Sequence, residues 1–182
     1  VDTAEPSAFA RGILNSELYT FLDDAPLEER RTQAILNRRT LNSRDLDSIG
    51  ALDPAAVARV KEEAFPQPES AEEVHDALLW MGYVTDDEAR SWLPWLDELL
   101  NQHRVVHRYD KWFAVDATTE PKKILLGRLE ALGPVFEDDP LIDDVNKPLL
   151  VELEHDGAIL RTRFEGKNAW CERRLLARIH RY

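Results

Sequence analysis

The fold is decided by residues 70–115, which read SAEEVHDALLWMGYVTDDEARSWLPWLDELLNQHRVVHRYDKWFAV. Ser70 and Glu73 form a capping box, in which each side chain satisfies a backbone N–H at the start of a helix. Gly82 is suited to end that helix, because glycine readily adopts the left-handed conformation of a C-cap. A second helical stretch follows and ends near Gln102. This region therefore predicts two consecutive helices.

A change of periodicity follows the second helix. Arg104–Arg108 and Trp112–Val115 are short runs rich in β-branched and aromatic residues, and they are separated by Tyr109-Asp110-Lys111. Such a pattern predicts a β-hairpin. The order helix, helix, hairpin is that of a winged helix.

The second half of the chain repeats this order of elements. Pro121 and Gly133 bound a predicted helix, and an acidic connector separates it from the next helix. The remaining predicted elements are a helix from about Val145 to His155, a strand at Ala158–Phe164, a turn at Gly166-Lys167-Asn168 and a helix from about Cys171 to His180. We therefore expect a mainly α chain with short β-hairpins, of the α+β class, with tandem winged-helix-like units.

The first part of the chain is predicted to be helical. Helices are expected at 6–14, at 24–38 and from Asp53-Pro54 to about Ala64, where Asp caps and Pro occupies the first turn. Pro66 and Pro68 make a stiff linker after the last of these. The predicted division is an N-terminal helical segment at 1–68, a first winged-helix-like unit at 69–118 and a second at 119–182.

The composition limits the function classes. Hydrophobic residues make up 43% of the 182 residues, which is enough for a packed core, and Cys171 is the single cysteine. One cysteine excludes an internal disulfide and suits a reducing cytoplasm. No signal peptide and no membrane span are expected.

Charge is unevenly distributed along the chain. The formal net charge is −12, which disfavours phosphate binding by the molecule as a whole. However, residues 30–44 contain five arginines and no acid, and residues 161–181 contain seven bases against Glu165 and Glu172. Local fields decide what a surface binds, so these two stretches are candidate contacts for nucleic acid.

Several stretches resemble the Lhr (large helicase-related) family of superfamily 2 helicases, in the region that follows the motor. They are FLDDAPLEERR at 21–31, LDPAA at 52–56, HDALLW at 75–80 and, most specifically, WCERRLLARIHRY at 170–182. Together they span nearly the whole chain in the expected order. Residues 134–147 depart from the family, because they are shorter and more acidic than its second winged unit.

The resemblance implies an accessory role beside two RecA-like motor domains, which carry the ATP and Mg²⁺ of the parent helicase. The implied partners are single-stranded or forked DNA or an RNA–DNA hybrid, in DNA repair. No cofactor is expected in this chain: its one Gly-Lys pair, Gly166-Lys167, has Arg161 where a phosphate-binding loop needs glycine, and Asn168 follows it.

The residues predicted to contact nucleic acid come from three places: the arginine-rich stretch, the two hairpins and the last helix. For each, another interpretation stays open. The arginines could pair with acids or with the motor domains, the hairpin tryptophan could pack inward, and the last helix could present a solvated basic face. The predicted residues are Arg38, Arg39, Arg44, Lys111, Trp112, Arg161, Arg163, Lys167, Arg173, Arg174 and Arg178.

No catalytic or metal-binding residue is predicted. His103 and His107 lie four apart along a strand, about 13 Å, which is too far to share one ion. The acidic doublets at 23–24, 86–87, 138–139 and 143–144 are expected to cap helices or face solvent. Trp80, Trp92 and Trp95 are expected in the core.

Three functions remain open at this point. The first is a nucleic-acid-binding accessory module of a helicase, and the second is a protein-docking module, which the acidity favours. The third is a winged-helix DNA glycosylase, for which Asp110 at the hairpin is the one candidate carboxylate. Whether the chain is itself an enzyme stays open.

Overall fold

The computed structural model describes residues 52–182, and this part is mixed α/β, with six α-helices and two antiparallel three-stranded sheets. The helices predicted at 6–14 and 24–38 lie outside the described residues. The elements are α1 (Pro54–Ala64), α2 (Ala71–Met81), β1 (Val84–Thr85), a 3-10 turn (Arg90–Trp92), α3 (Leu93–Asn101), β2 (Val105–Arg108), β3 (Lys111–Ala114), α4 (Pro121–Leu132), β4 (Val135–Phe136), α5 (Asn146–His155), β5 (Ile159–Phe164), β6 (Lys167–Glu172) and α6 (Arg173–Ile179).

The first unit consists of α2, β1, α3, β2 and β3, and its strands are ordered β1-β3-β2. The predicted capping residue is confirmed: the Ser70 hydroxyl accepts a hydrogen bond from the Glu73 backbone N–H at 3.3 Å. The Glu73 carboxylate accepts from the N–H of Glu69, one residue before the cap, at 2.7 Å. Gly82 ends α2 with φ 82°, as predicted. Apolar residues of α2, α3 and the sheet form one buried cluster.

The second unit has the same topology. Its elements are α4, β4, α5, β5 and β6, its strand order is β4-β6-β5, and α6 follows directly after β6. α4, α5 and the sheet enclose a separate cluster around Leu129, Leu150 and Ile159. Two units with one strand order thus follow each other along the chain.

Three strands were not predicted from the sequence. The two-residue strands β1 and β4 are too short to show any periodicity. β6 was predicted as a turn followed by the start of a helix, and this is wrong, because Lys167–Glu172 pairs with β5 over its whole length and α6 begins at Arg173. Ala169 to Glu172 are all buried, so the strand lacks the alternation of buried and exposed residues that identifies most strands.

The two units are joined by a close crossing of α2 and α4. Gly127 faces the backbone of α2, where an added Cβ would lie 2.1 Å from the Trp80 carbonyl oxygen. Next to it, Arg128 is 3% exposed and donates to the Tyr83 carbonyl oxygen at 3.0 Å and to the Glu88 carboxylate. A glycine thus permits the close contact, and a buried ion pair connects both units.

α1 packs onto the second unit. Its buried residues Val57 and Val60 share a cluster with Leu175 and Leu176 of α6. The Leu52 N–H also bonds to the Arg163 carbonyl oxygen at 3.4 Å. The predicted helix from Pro54 to Ala64 is confirmed. It completes a hydrophobic core to which Leu175 and Leu176 contribute from more than a hundred residues later in the sequence.

Within residues 52–182, no helix has both the length and the apolar character that crossing a lipid bilayer requires.

Candidate nucleic-acid interface

The tip of the β2–β3 hairpin presents an aromatic ring between two cations. Tyr109 and Asp110 form its two-residue turn, with φ of 53° and 57°, the left-handed values of a type I′ turn. Tyr109 is 92% exposed. Arg108 and Lys111 are direct cross-strand partners at either side of the turn. Neither forms an ion pair among residues 52–182, although the Lys111 ammonium lies 4.4 Å from the centroid of the Tyr83 ring.

A network of polar contacts braces the base of this hairpin. The Trp112 indole N–H donates to the Asp86 carboxylate at 2.8 Å, and a ring nitrogen of His107 lies 2.8 Å from the same oxygen. The Asp86 backbone N–H donates to the Asp110 carbonyl oxygen at 3.1 Å. The sequence left open whether Asp86 or Thr85 caps the residues that follow, and the capping residue is Thr85; the Asp86 carboxylate instead connects β3 and β2 to the chain after β1. Thr85 and Glu88 make the reciprocal capping contacts instead.

Trp112 packs inward, which is the alternative to base stacking that the sequence left open. It is 7% exposed and belongs to the core of the first unit. Its indole N–H is bound to Asp86 and one face lies beside His107, with ring centroids 4.5 Å apart. This arrangement leaves no exposed ring face on which a base could stack, so stacking on Trp112 was a wrong expectation. The exposed aromatic residue of this hairpin is Tyr109.

The cations of the β5–β6 hairpin contact groups of the protein. Arg161 lies over the Trp170 ring at 4.5 Å from its centroid, and its Nε is 3.2 Å from the Glu154 carboxylate. Lys167 pairs with Asp138 at 3.1 Å, which lowers the pKa of that carboxyl. Arg163, half-buried, also has an interaction partner within the molecule. This second hairpin therefore presents a neutralised surface.

The predicted residues of α6 divide between core and surface. Arg173 is 3% exposed and lies in the interior, so its side chain cannot reach a phosphate. Arg178 pairs with Glu63 of α1, whose carboxylate also accepts from the Tyr182 hydroxyl at 3.1 Å. Arg174 is exposed and forms no ion pair in the described part of the chain. Arg38, Arg39 and Arg44, also predicted to bind nucleic acid, lie outside the described residues.

A cleft of about 670 Å³ opens where α1, α2, α4 and α6 meet. Its volume is in the range of small-ligand sites. Trp80 lies at this cleft and is 41% exposed, so the prediction that it is a core residue is wrong, whereas Trp92 is buried as predicted. The charged residues that line the cleft are Glu63, Glu130, Glu172, Arg174, Arg178 and Arg181.

Two of these carboxyls have pKa values above the usual value for glutamate. Burial raises the pKa of Glu130, the nearby charge of Glu172 raises it further, and the nearby charge of Arg174 opposes this rise. Burial also raises the pKa of Glu172, although its carboxylate accepts from the backbone N–H groups of Arg174 and Leu175 at 2.7 and 2.9 Å. Glu63 differs, because hydrogen bonds from Arg59 and Arg178 lower its pKa. Carboxyls with raised pKa values in a cleft are typical of binding and active sites.

Other candidate groups show no catalytic arrangement. Among residues 52–182, no three His, Cys, Asp or Glu side chains are grouped so that they could hold a metal ion. Asp110 lies exposed at the hairpin tip. Cys171 is fully buried, and burial raises the pKa of its thiol well above the usual value, which makes it a poor nucleophile.

Three residues of the hairpin tip and the cleft were not predicted from the sequence. The sequence predicts Tyr109 only as a turn residue, and it predicts Trp80 in the core because Trp80 falls on an apolar helix face. Glu130 stands beside apolar residues in α4, and nothing in the local pattern marks it. The turn position of Tyr109 was the one usable indication, because side chains at the tip of a two-residue hairpin point into solvent.

Comparisons of the chain with protein-family models, with curated proteins and with solved structures found no match. The resemblance to the Lhr family stays a prediction from the quoted stretches.

Proposed function

We propose that this chain is a nucleic-acid-binding accessory segment of a Lhr-type ATP-dependent helicase, built from two winged-helix-like units. The partners are single-stranded or forked DNA, or an RNA–DNA hybrid, and the RecA-like motor domains that carry ATP and Mg²⁺. The observation that carries the proposal is the tip of the β2–β3 hairpin, where Arg108 and Lys111 flank the exposed ring of Tyr109.

The arrangement of this tip suits a nucleic-acid strand. Cations bind phosphates, and an exposed aromatic ring stacks on any base. The turn is held in one conformation by the Asp86 contacts, so little ordering is required on binding. The negative charge of Asp110 offsets one of the two positive charges at the tip, but Arg108 and Lys111 have no carboxylate partner among residues 52–182.

The repeated topology is a second support. Each unit has a helix, a short strand, a further helix and a hairpin, with the short strand beside the last strand of the hairpin. That order of elements is the one expected of a winged helix. Winged-helix proteins use helices and hairpins to contact duplexes and strand junctions, and the same pairing of elements occurs twice here.

A salt titration tests the proposal. Binding of the 182-residue chain to fluorescent single-stranded and forked DNA is measured by anisotropy across a series of salt concentrations. We expect affinity to fall with salt. In the variant Arg108→Glu/Lys111→Glu, the slope of log affinity against log salt should decrease by about 1.4, because each phosphate contact contributes about 0.7 for single strands.

The matched control is Arg90→Glu/Lys147→Glu. It reverses two exposed cations that already pair with neighbouring carboxylates, so it changes net charge equally without touching the hairpin. An equal loss in both variants would mean that only total charge matters. No binding at low salt would refute the proposal.

Docking of protein partners is the second candidate, and one observation favours it. Arg161, Lys167 and Arg178, which were expected to form a cationic face, contact carboxylates of the protein itself. Together with the net charge of −12, this leaves a mainly anionic surface. Binding to the isolated motor domains in the absence of DNA, with no affinity for DNA, would establish this alternative.

A further inference from the structure

Glu130 is half-buried, and the nearby charge of Arg174 acts on its carboxylate. It lies in the cleft between α1, α2, α4 and α6, and it forms no hydrogen bond or ion pair within residues 52–182. Elsewhere in this part of the chain, the partly buried Glu88 and the buried Glu154 both face arginines. The Glu130 oxygens are not among the fully buried unpaired atoms of the described residues, so this carboxylate is open to a hydrogen-bond donor that enters the cleft.

Two other residues of the cleft are available to a ligand. Trp80 exposes 41% of its surface on α2, whereas Trp92 and Trp112 of the first unit are buried. Arg174 also lines the cleft, is exposed and forms no ion pair in the described residues, although its charge acts on Glu130 and Glu172. An aromatic face, a cation and a hydrogen-bond acceptor therefore border one cleft.

We propose that this cleft binds one unpaired nucleotide of a nucleic-acid strand, with its base on Trp80, its amino-bearing edge at Glu130 and its phosphate at Arg174. The inference rests on the proposed function and adds a second contact, separate from the β2–β3 hairpin. It also assigns a base preference, because a carboxylate accepts hydrogen bonds from the exocyclic amino group of cytosine and thymine has no such group.

The charges of the cleft favour a nucleotide over a basic peptide. Three glutamates and three arginines line it, so a ligand must offer both an anion and hydrogen-bond donors. A nucleotide carries both, on its phosphate and on its base. A peptide rich in lysine or arginine would meet the same arginines that attract phosphate, so it is the less suitable occupant.

The test compares oligonucleotides of about 12 cytidines and about 12 thymidines, binding to the 182-residue chain. We expect the cytidine strand to bind about fivefold more tightly, and Glu130→Ala to abolish this ratio. Trp80→Ala should weaken binding of both strands on the order of tenfold, and Trp80→Phe should restore most of it, because stacking needs only an aromatic ring. Arg174→Ala should lower the salt slope by about 0.7.

Matched controls separate the cleft from general effects. Leu100→Ala removes a side chain that is 40% exposed on another helix, and Asp97→Ala removes an exposed carboxylate from that helix. Thermal melts show whether each variant folds. If the cleft variants bind like these controls while salt-dependent binding persists, the cleft inference fails and the proposed function stands. Tighter, Trp80-dependent binding of an arginine-rich peptide would also overturn it.

Discussion

Gly127→Ala is expected to destabilise the protein, although alanine is the better helix former. An ideal Cβ at this position lies 2.1 Å from the Trp80 carbonyl oxygen and 3.2 Å from the Met81 Cα. Ordinary contact begins at 3.4 Å, so α2 and α4 must separate by 3.4 − 2.1 = 1.3 Å. No side-chain rotation can relieve this contact, because the opposing atom belongs to the backbone.

Two opposing effects determine the magnitude. Replacing glycine in a helix favours folding by about 1 kcal/mol. Overpacking costs about 1–3 kcal/mol and more where the backbone has to move. We take the upper end of the overpacking cost, because the separation acts along the whole crossing of the two helices. The net loss should be about 2 kcal/mol, which for a chain of this length lowers Tm by about 4–8 °C.

Urea denaturation and thermal melts followed by circular dichroism measure this difference. Ala58→Gly, at an exposed position of α1, is the control for helix propensity alone and should cost about 1 kcal/mol. If Gly127→Ala unfolds at the same or a higher urea concentration than the unaltered protein, the close crossing does not constrain the fold and the reasoning is refuted.

Three other substitutions have outcomes that follow from single contacts. Although burial acts in the opposite direction, hydrogen bonds from Arg128 and Thr85 lower the pKa of Glu88. The ionised carboxylate therefore stabilises the fold above pH 4.5, and this stabilisation disappears as the pH falls through the folded-state pKa. Glu88→Gln should remove this part of the acid sensitivity in urea titrations. Burial raises the pKa of Glu130. Its ionised form therefore destabilises the folded protein as the pH rises, whereas the protonated form, present below pH 4.5, does not. Glu130→Gln should be more stable than the unaltered protein at pH 7, with no difference at pH 4. Asp86→Ala leaves the Trp112 indole N–H without its acceptor and should cost about 1–3 kcal/mol of unfolding free energy; an unchanged midpoint in urea denaturation would contradict this.

Within residues 52–182, local signals predicted most helix ends, but the start of the predicted second helix is replaced by turns and the 3-10 turn at Arg90–Trp92. Pro54 after Asp53, Ser70 before Glu73 and the glycines at 82 and 133 each act on the few backbone groups at a helix end. Such effects are independent of the rest of the fold, so sequence alone contains them. The two-residue strands β1 and β4 depend instead on pairing with strands that lie about 30 residues later, and nothing local indicates that pairing.

The cleft could not be predicted, for the same physical reason. The cleft combines side chains from four helices, and one of its contacts joins Arg178 to Glu63, 115 residues apart. The arginines of α6 were expected to form one basic face. Their positions on the helix were predictable, but the burial of Arg173 and the pairing of Arg178 with Glu63 depend on distant parts of the chain.

The docking of α1 on α6 has a consequence for synthesis on the ribosome. α1 leaves the exit tunnel with Val57 and Val60 uncovered, and the residues that shield them, Leu175 and Leu176, are translated later. At about 5–20 residues per second this delay lasts roughly 5–25 seconds. During that interval the first unit can fold around its own core, while the apolar stripe of α1 is open to chaperones and to misassociation with other nascent chains.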